Sequence, residues 1–111
     1  MASPGSQLAQ TRPANTTAAT AYTATRATEV TRIIVANSST ATQFSLFHDD
    51  DGSTYSQATA LFYTVAIEAN STVDVVFADG YGGIVVSPSG TIGVKTEAAN
   101  NLTFTVYGVT L

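Results

Sequence analysis

The sequence contains no cysteine and no tryptophan, and only one histidine and one methionine occur among its 111 residues. Without cysteine the chain forms no disulfide, offers no thiolate nucleophile and holds no cysteine-ligated zinc. Charged residues are scarce as well, at 11% of the chain, where about 25% is usual. Four basic and eight acidic side chains leave a net charge of −4. A nucleic-acid partner is therefore not expected, because it would need a basic face.

Long hydrophobic runs are also missing. No apolar stretch approaches the ~18 residues of a membrane helix, so we expect no membrane partner. The first ten residues hold neither a basic segment nor an apolar core, so we expect no secretory signal. In place of charge the chain carries many threonines, serines and asparagines. Such neutral side chains suit β surfaces, and burying them in an assembly costs less than burying charges.

The N-terminal segment differs from the rest of the chain. Residues 1–19 are rich in Ala, Ser, Thr, Pro and Gln, and Leu8 is their only large apolar residue beyond Met1. A segment of this composition builds no core, so we predict an extended N-terminal arm over 1–19. The remaining residues, 20–111, are predicted to form one domain.

Within 20–111, short runs of β-branched and aromatic residues alternate with turn residues every 8 to 12 positions, and no helical period is present. This pattern predicts an all-β fold, a single antiparallel, jelly-roll-like β-sandwich of about eight strands. The predicted strands are Tyr22–Thr25, Glu29–Ala36, Gln43–His48, Leu61–Ile67, Thr72–Phe77, Ile84–Val86, Thr91–Lys95 and Leu102–Val109.

Two of these strands carry a more detailed prediction. Strict alternation in the fourth strand predicts that Leu61, Tyr63, Val65 and Ile67 lie on one face. In the seventh, Gly93 indicates a β-bulge or a point where other atoms approach the backbone closely.

The acidic run Asp49-Asp50-Asp51-Gly52 is the densest group of possible metal ligands. Asp49 and Asp51 are weak candidates for binding calcium, since carboxylates two residues apart in a loop can share a hard cation. An EF-hand is excluded, because aligning Gly52 with the loop glycine places Phe47 at the first ligand position. A solvated acidic loop is the preferred interpretation, and we expect no bound metal and no cofactor.

No catalytic residues are assigned. His48 beside three aspartates would suit a general base, but no serine stands in a nucleophile motif such as G-x-S-x-G. The pairs Asp74 with Asp79, and Glu68 with Glu97, are the carboxylates to consider for glycoside hydrolysis. They lie at strand edges and turns. The expectation is a protein that is not an enzyme.

Four segments carry a family resemblance: AYTATRATEVTRIIVANSS, FSLFHDDDG, ALFYTVAIEANSTV and GTIGVKTEAANNLTFTVYGVTL. In this order they resemble small bacteriophage virion structural proteins with a β-sandwich fold, of the capsid decoration or cement type. The resemblance covers most of the chain beyond residue 19, and it rests on patterns of strands and turns.

The resemblance implies a virion protein that forms a homo-oligomer, with a trimer favoured, and that binds the major capsid protein or other virion subunits. The arm, which spans roughly 60 Å when extended, would then reach a neighbouring subunit. The residues expected at subunit or partner contacts are Leu8, Arg12, Pro13, Tyr22, Tyr55 and Tyr81. The alternative is a tail or fibre component, or a lectin-like module that holds a glycan with residues 49–55 and 80–83.

Overall fold

The computed structural model describes residues 6–77 and 82–111, and these residues form nine β-strands and one short 3₁₀ turn. None of their helical segments is long and apolar enough to span a membrane. The elements are β1 (Ser6–Thr11), β2 (Ala19–Thr23), β3 (Thr28–Asn37), β4 (Thr42–Asp49), the 3₁₀ turn (Gln57–Thr59), β5 (Ala60–Ile67), β6 (Thr72–Val76), β7 (Ile84–Val86), β8 (Thr91–Thr96) and β9 (Leu102–Thr110).

The strands form two antiparallel sheets packed face to face. Sheet A has the order β1-β9-β3-β6, with β7 pairing the remaining length of β3, and sheet B has the order β2-β8-β4-β5. If β6 and β7 are counted as one interrupted strand, the two sheets read 1-8-3-6 and 2-7-4-5, which is jelly-roll connectivity. The predicted antiparallel β-sandwich is confirmed, and all eight predicted strands are present with ends shifted by up to three residues.

The core lies between the two sheets, where every second residue of the central strands points inward. Phe44 of sheet B meets Phe104 of sheet A edge to face, with ring centroids 6.3 Å apart. Fully burying one such side chain contributes roughly 1.5–3 kcal/mol. The other large, fully buried residues of this core are Val30, Ile33, Val35, Leu46, Val86, Ile92, Val94, Leu102 and Val106.

The structure differs from the prediction at the N-terminal segment. Residues Ser6–Thr11 are not free of the sandwich, because they form β1, which pairs antiparallel with β9 at the edge of sheet A. Leu8 sits at a register shift in this pairing and packs against the core. A polar strand is stable at an edge, where backbone hydrogen bonds to one neighbour replace the burial of large side chains. The predicted boundary at residue 19 therefore falls inside the sandwich; residues 1–5 lie outside the described residues.

Strand β5 departs from the alternation predicted for it. Phe62 pairs with Leu46 and Val65 with Phe44, so Ser45 faces two residues of β5, Tyr63 and Thr64. This is a β-bulge, and it reverses the direction of the side chains that follow it. Tyr63 is consequently exposed, whereas Val65 packs against the core. The prediction of one shared face for the four alternating residues of β5 is wrong for this reason.

The bulge places Thr64 at a φ of 50°, a left-handed conformation that is costly for a β-branched residue. Because asparagine tolerates this conformation, Thr64→Asn should raise the free energy of unfolding by about 0.5–1 kcal/mol. Urea denaturation measures the change. Thr72→Asn, at an exposed position of β6 with ordinary backbone, is the matched control and should give no gain. An equal gain in both variants would contradict a strained Thr64.

Candidate functional site

The acidic run and Tyr55 belong to one surface feature, which we call the covering loop (residues 50–59, between β4 and β5). It lies over the outer face of sheet B, the face turned away from the core. Phe47 points to this face, yet it is only 1% exposed. The ring of Tyr55 lies 5.6 Å from that of Phe47, and the ring of Tyr63 lies 6.5 Å from it. The covering loop and β5 therefore enclose a second, smaller apolar cluster outside the sandwich.

Gly93 lets the covering loop come this close to the sheet. A Cβ atom at Gly93 would stand 2.4 Å from Cε1 of Tyr55, well inside van der Waals contact. The close approach predicted from this strand glycine is thereby confirmed.

The hydroxyl of Tyr55 then fixes the ring in place. Tyr55 donates a hydrogen bond to Oγ1 of Thr91 (2.9 Å), and Thr91 donates to the carbonyl of Gly52 (2.7 Å). Oγ1 of Thr20 lies 2.6 Å from the Tyr55 oxygen and can donate to it, because the single tyrosine proton is already committed. This chain of hydroxyls joins the covering loop to β2 and β8.

Asp49 uses its carboxylate to shape the covering loop. It accepts hydrogen bonds from the amides of Thr54 (2.7 Å) and Asp51 (3.3 Å). The bond from Thr54 is the main reason that the pKa of Asp49 lies below its ordinary value, while the neighbouring Asp49 carboxylate raises the pKa of Asp51. Within residues 6–77 and 82–111, no three Asp, Glu, His or Cys side chains converge as a metal site would require. The calcium candidates Asp49 and Asp51 thus lie side by side without a third ligand of that kind.

Asp50 points the other way, towards the turn between β7 and β8. Its carboxylate accepts hydrogen bonds from the amide (2.8 Å) and the hydroxyl (2.7 Å) of Ser87, and Nε2 of His48 lies 3.1 Å from it. The bonds from Ser87 hold the pKa of Asp50 below its ordinary value. Although Ser, His and Asp meet here, Ser87 donates to the carboxylate and not to the imidazole, so the base that a serine nucleophile needs is not in contact with it. The arrangement acts as a clamp between two loops.

The remaining carboxylate candidates are engaged in ion pairs. Asp74 accepts two hydrogen bonds from Arg32, from Nε (2.8 Å) and Nη2 (2.6 Å), and these bonds lower the pKa of Asp74. Glu97 pairs with Lys95. Asp79, the proposed partner of Asp74, lies outside the described residues.

At the opposite end of the sandwich, two buried asparagines tie three loops together. Nδ2 of Asn101 donates to Oδ1 of Asn37 (3.0 Å) and to the carbonyl of Thr40 (2.8 Å), and Nδ2 of Asn37 donates to the carbonyl of Glu68 (2.9 Å). Both asparagines begin N-x-[ST] triplets, but amides buried in this network are not accessible to glycosylation.

The predicted contact residues are mostly engaged within the chain. Arg12 donates to Oγ of Ser38 (3.1 Å) and to the carbonyl of Asn100 (2.6 Å), and the carbonyl of Pro13 accepts from the amide of Asn100 (2.9 Å). The hydroxyl of Tyr22 lies 3.0 Å from Oγ1 of Thr28. Leu8 and Tyr55 pack against the two faces described above, and Tyr81 lies outside the described residues.

Two exposed residues of β5 were not among the predicted contacts. Tyr63 is 47% exposed and Leu61 is 38% exposed, both on the strand that closes sheet B. The signal that points to them is the lack of any charged residue from Gly52 to Ile67. An uncharged run that includes an edge strand is unusual, because edge strands are commonly protected by charges.

No protein-family model matches the chain, and no curated protein or solved structure matches it either. What the protein does is therefore inferred from its own residues and their placement.

The contact between Tyr55 and Gly93 has a test in a double-mutant cycle. Alanine in a strand normally suits the backbone better than glycine, but Gly93→Ala should destabilise the fold by about 1–3 kcal/mol because the new methyl group overlaps Tyr55. In the Tyr55→Ala background the same change should cost much less. Urea denaturation of the four proteins gives the coupling, and an additive cycle would contradict the predicted overlap.

The opposite pKa shifts of Asp50 and Asp51 predict opposite effects of pH. The lowered pKa of Asp50 means that its charge stabilises the fold above about pH 4, and that this contribution is lost as the pH falls through the native pKa. Asp50→Asn should therefore lower the free energy of unfolding at pH 7, and the difference from the native chain should shrink on acidification.

Asp51→Asn is the isosteric control with the reverse sign. The raised pKa of Asp51 means that its protonated form favours the fold and that stability is lost as the pH rises through that pKa. This variant should thus be more stable than the native chain at pH 7 and equal to it in acid. Parallel pH profiles for Asp50→Asn and Asp51→Asn would disprove the assignment.

Proposed function

We propose that the protein is a non-catalytic structural protein of a virus particle, most specifically a phage capsid decoration protein that binds and stabilises the capsid lattice. The observation that carries this proposal is the jelly-roll connectivity of the two sheets, an architecture that viral capsid domains use. Lectin domains use it too, so the proposal also depends on how the loops and surfaces are built.

The loops support a structural role because their polar groups bond to the protein itself. Asp49, Asp50 and Asp74 each accept hydrogen bonds from neighbouring residues. Among the described residues, no buried side-chain nitrogen or oxygen lacks a hydrogen-bond partner. A ligand site commonly leaves convergent polar groups free for its substrate. In this protein such groups hold the loops in place.

The surface supports assembly. Charged side chains are few, and four of them are neutralised within the chain as the pairs Arg32–Asp74 and Lys95–Glu97. Burying a neutral, hydroxyl-rich surface against a partner incurs little charge desolvation. The proposed partners are the major capsid protein or other virion subunits, and the proposed location is the virion.

The placement of β1 changes which part of the chain is proposed to make these contacts. Since Ser6–Thr11 pairs with β9 of the same chain, the arm no longer offers a free strand to a neighbour. The contacts are proposed to run through the edges of the sandwich instead.

The proposal predicts that the chain is a stoichiometric component of particles purified from cells that carry its gene. Particles made without the gene should release their genome at a lower temperature, and purified chain added back should restore the native release temperature. Mass spectrometry of the particles and a thermal release assay measure both effects.

The chain denatured by heat before addition serves as the control and should restore nothing. Absence of the chain from the particles, or a release temperature that the folded chain does not change, would refute the proposal. Specific retention on a glycan array without particle binding would favour a lectin-like module.

A further inference from the structure

Strand β5 is the open edge of sheet B. The sandwich is closed on the opposite side, where β1 and β2 lie close together. On the open side β5 pairs with β4 alone, and its exposed residues include Leu61 and Tyr63. The outward side of an edge strand presents backbone amides and carbonyls that another strand can pair with.

This edge lacks the common protection against pairing with another chain. No Lys, Arg, Asp, Glu or Pro occurs from Gly52 to Ile67, and the nearest charges are Asp51 and Glu68. The edge strand beside it, β6, carries the charged Asp74 in an ion pair with Arg32. Two copies of a chain with a net charge of −4 repel each other, so they meet most easily where neither surface is charged.

We propose that β5 pairs antiparallel with β5 of a second copy of this chain, over residues 60–63. A register centred on Phe62 places Leu61 of one copy opposite Tyr63 of the other, so that exposed apolar side chains cover each other. The bulge at Thr64 ends the pairing and twists the rest of the strand away. The contact is isologous, so it uses up the β5 edge of both copies and closes at two.

The size of the contact determines its strength. Four paired residues bury much less than the ~800 Å² per partner of a stable interface, so the dissociation constant should be roughly 10 μM to 1 mM. On a particle the chain would be held in many copies, and a weak pair contact then adds to the others by avidity. The inference deepens the proposed assembly role and rests on it for its purpose, while the pairing itself is measured on the purified chain.

Sedimentation velocity of the full chain across that concentration range tests the proposal. The native chain should pass from monomer to dimer, and Leu61→Lys should raise the dissociation constant at least about tenfold, since lysine on an edge strand opposes pairing. Val76→Lys is the matched control, because Val76 is 69% exposed on the edge of the other sheet. This control should dimerise like the native chain.

Hydrogen exchange gives a readout that does not depend on the variants. In the native chain, backbone amides within residues 60–63 should gain protection at high concentration, and those of β6 should not. A monomer at every concentration, or a dimer that Val76→Lys disrupts and Leu61→Lys does not, would overturn the proposal. Dimers formed by a chain that particles do not contain would refute the proposed function and leave β5 pairing intact.

Discussion

The pairing of β3 with β9 is the constraint on which the rest of sheet A depends. It joins residues 28–37 to residues 102–110, and β1, β6 and β7 are placed by pairing with one of these two strands. The two strands approach so closely that a Cβ atom at Gly108 would stand 2.2 Å from the carbonyl oxygen of Glu29. Glycine is therefore required there. Because the paired segments are far apart in sequence, closing them carries a large loop entropy that the core between the sheets must offset.

The outer faces of the two sheets meet water in different ways. Sheet A presents threonines and the ion pair between Arg32 and Asp74, so its central strands remain solvated there. Sheet B has a phenylalanine, Phe47, on its outer face, and its own covering loop buries that ring beneath Tyr55. The acidic residues of this loop then serve its geometry, because Asp49 and Asp50 hold its two ends. An aspartate run that resembles a cation site in sequence is thus explained by the need to cover one aromatic ring.

The core strands were predictable from sequence because their alternation of apolar and polar residues follows directly from a sheet with one buried face. Two features were not. Strand β1 has almost no large apolar residue, and it is held by an edge pairing that composition does not register. The bulge at Thr64 adds one residue, which reverses the facing of all later side chains while the sequence pattern still looks regular. The hydrogen bonds of Asp50 to Ser87 likewise depend on the long-range placement of two loops, which residue types alone do not specify.

The two surprises bear on assembly in opposite directions. Docking β1 in its own sheet covers the edge of β9 and removes a strand that might otherwise have exchanged between subunits. The bulge in β5 leaves part of the other sheet's edge regular and uncharged, while Thr64 keeps that part short. A long, flat, apolar edge would pair without limit and aggregate, whereas a short one that ends at a bulge admits one partner. The strain at Thr64 is then understandable as the cost of limiting association at an edge that carries no charge to do so.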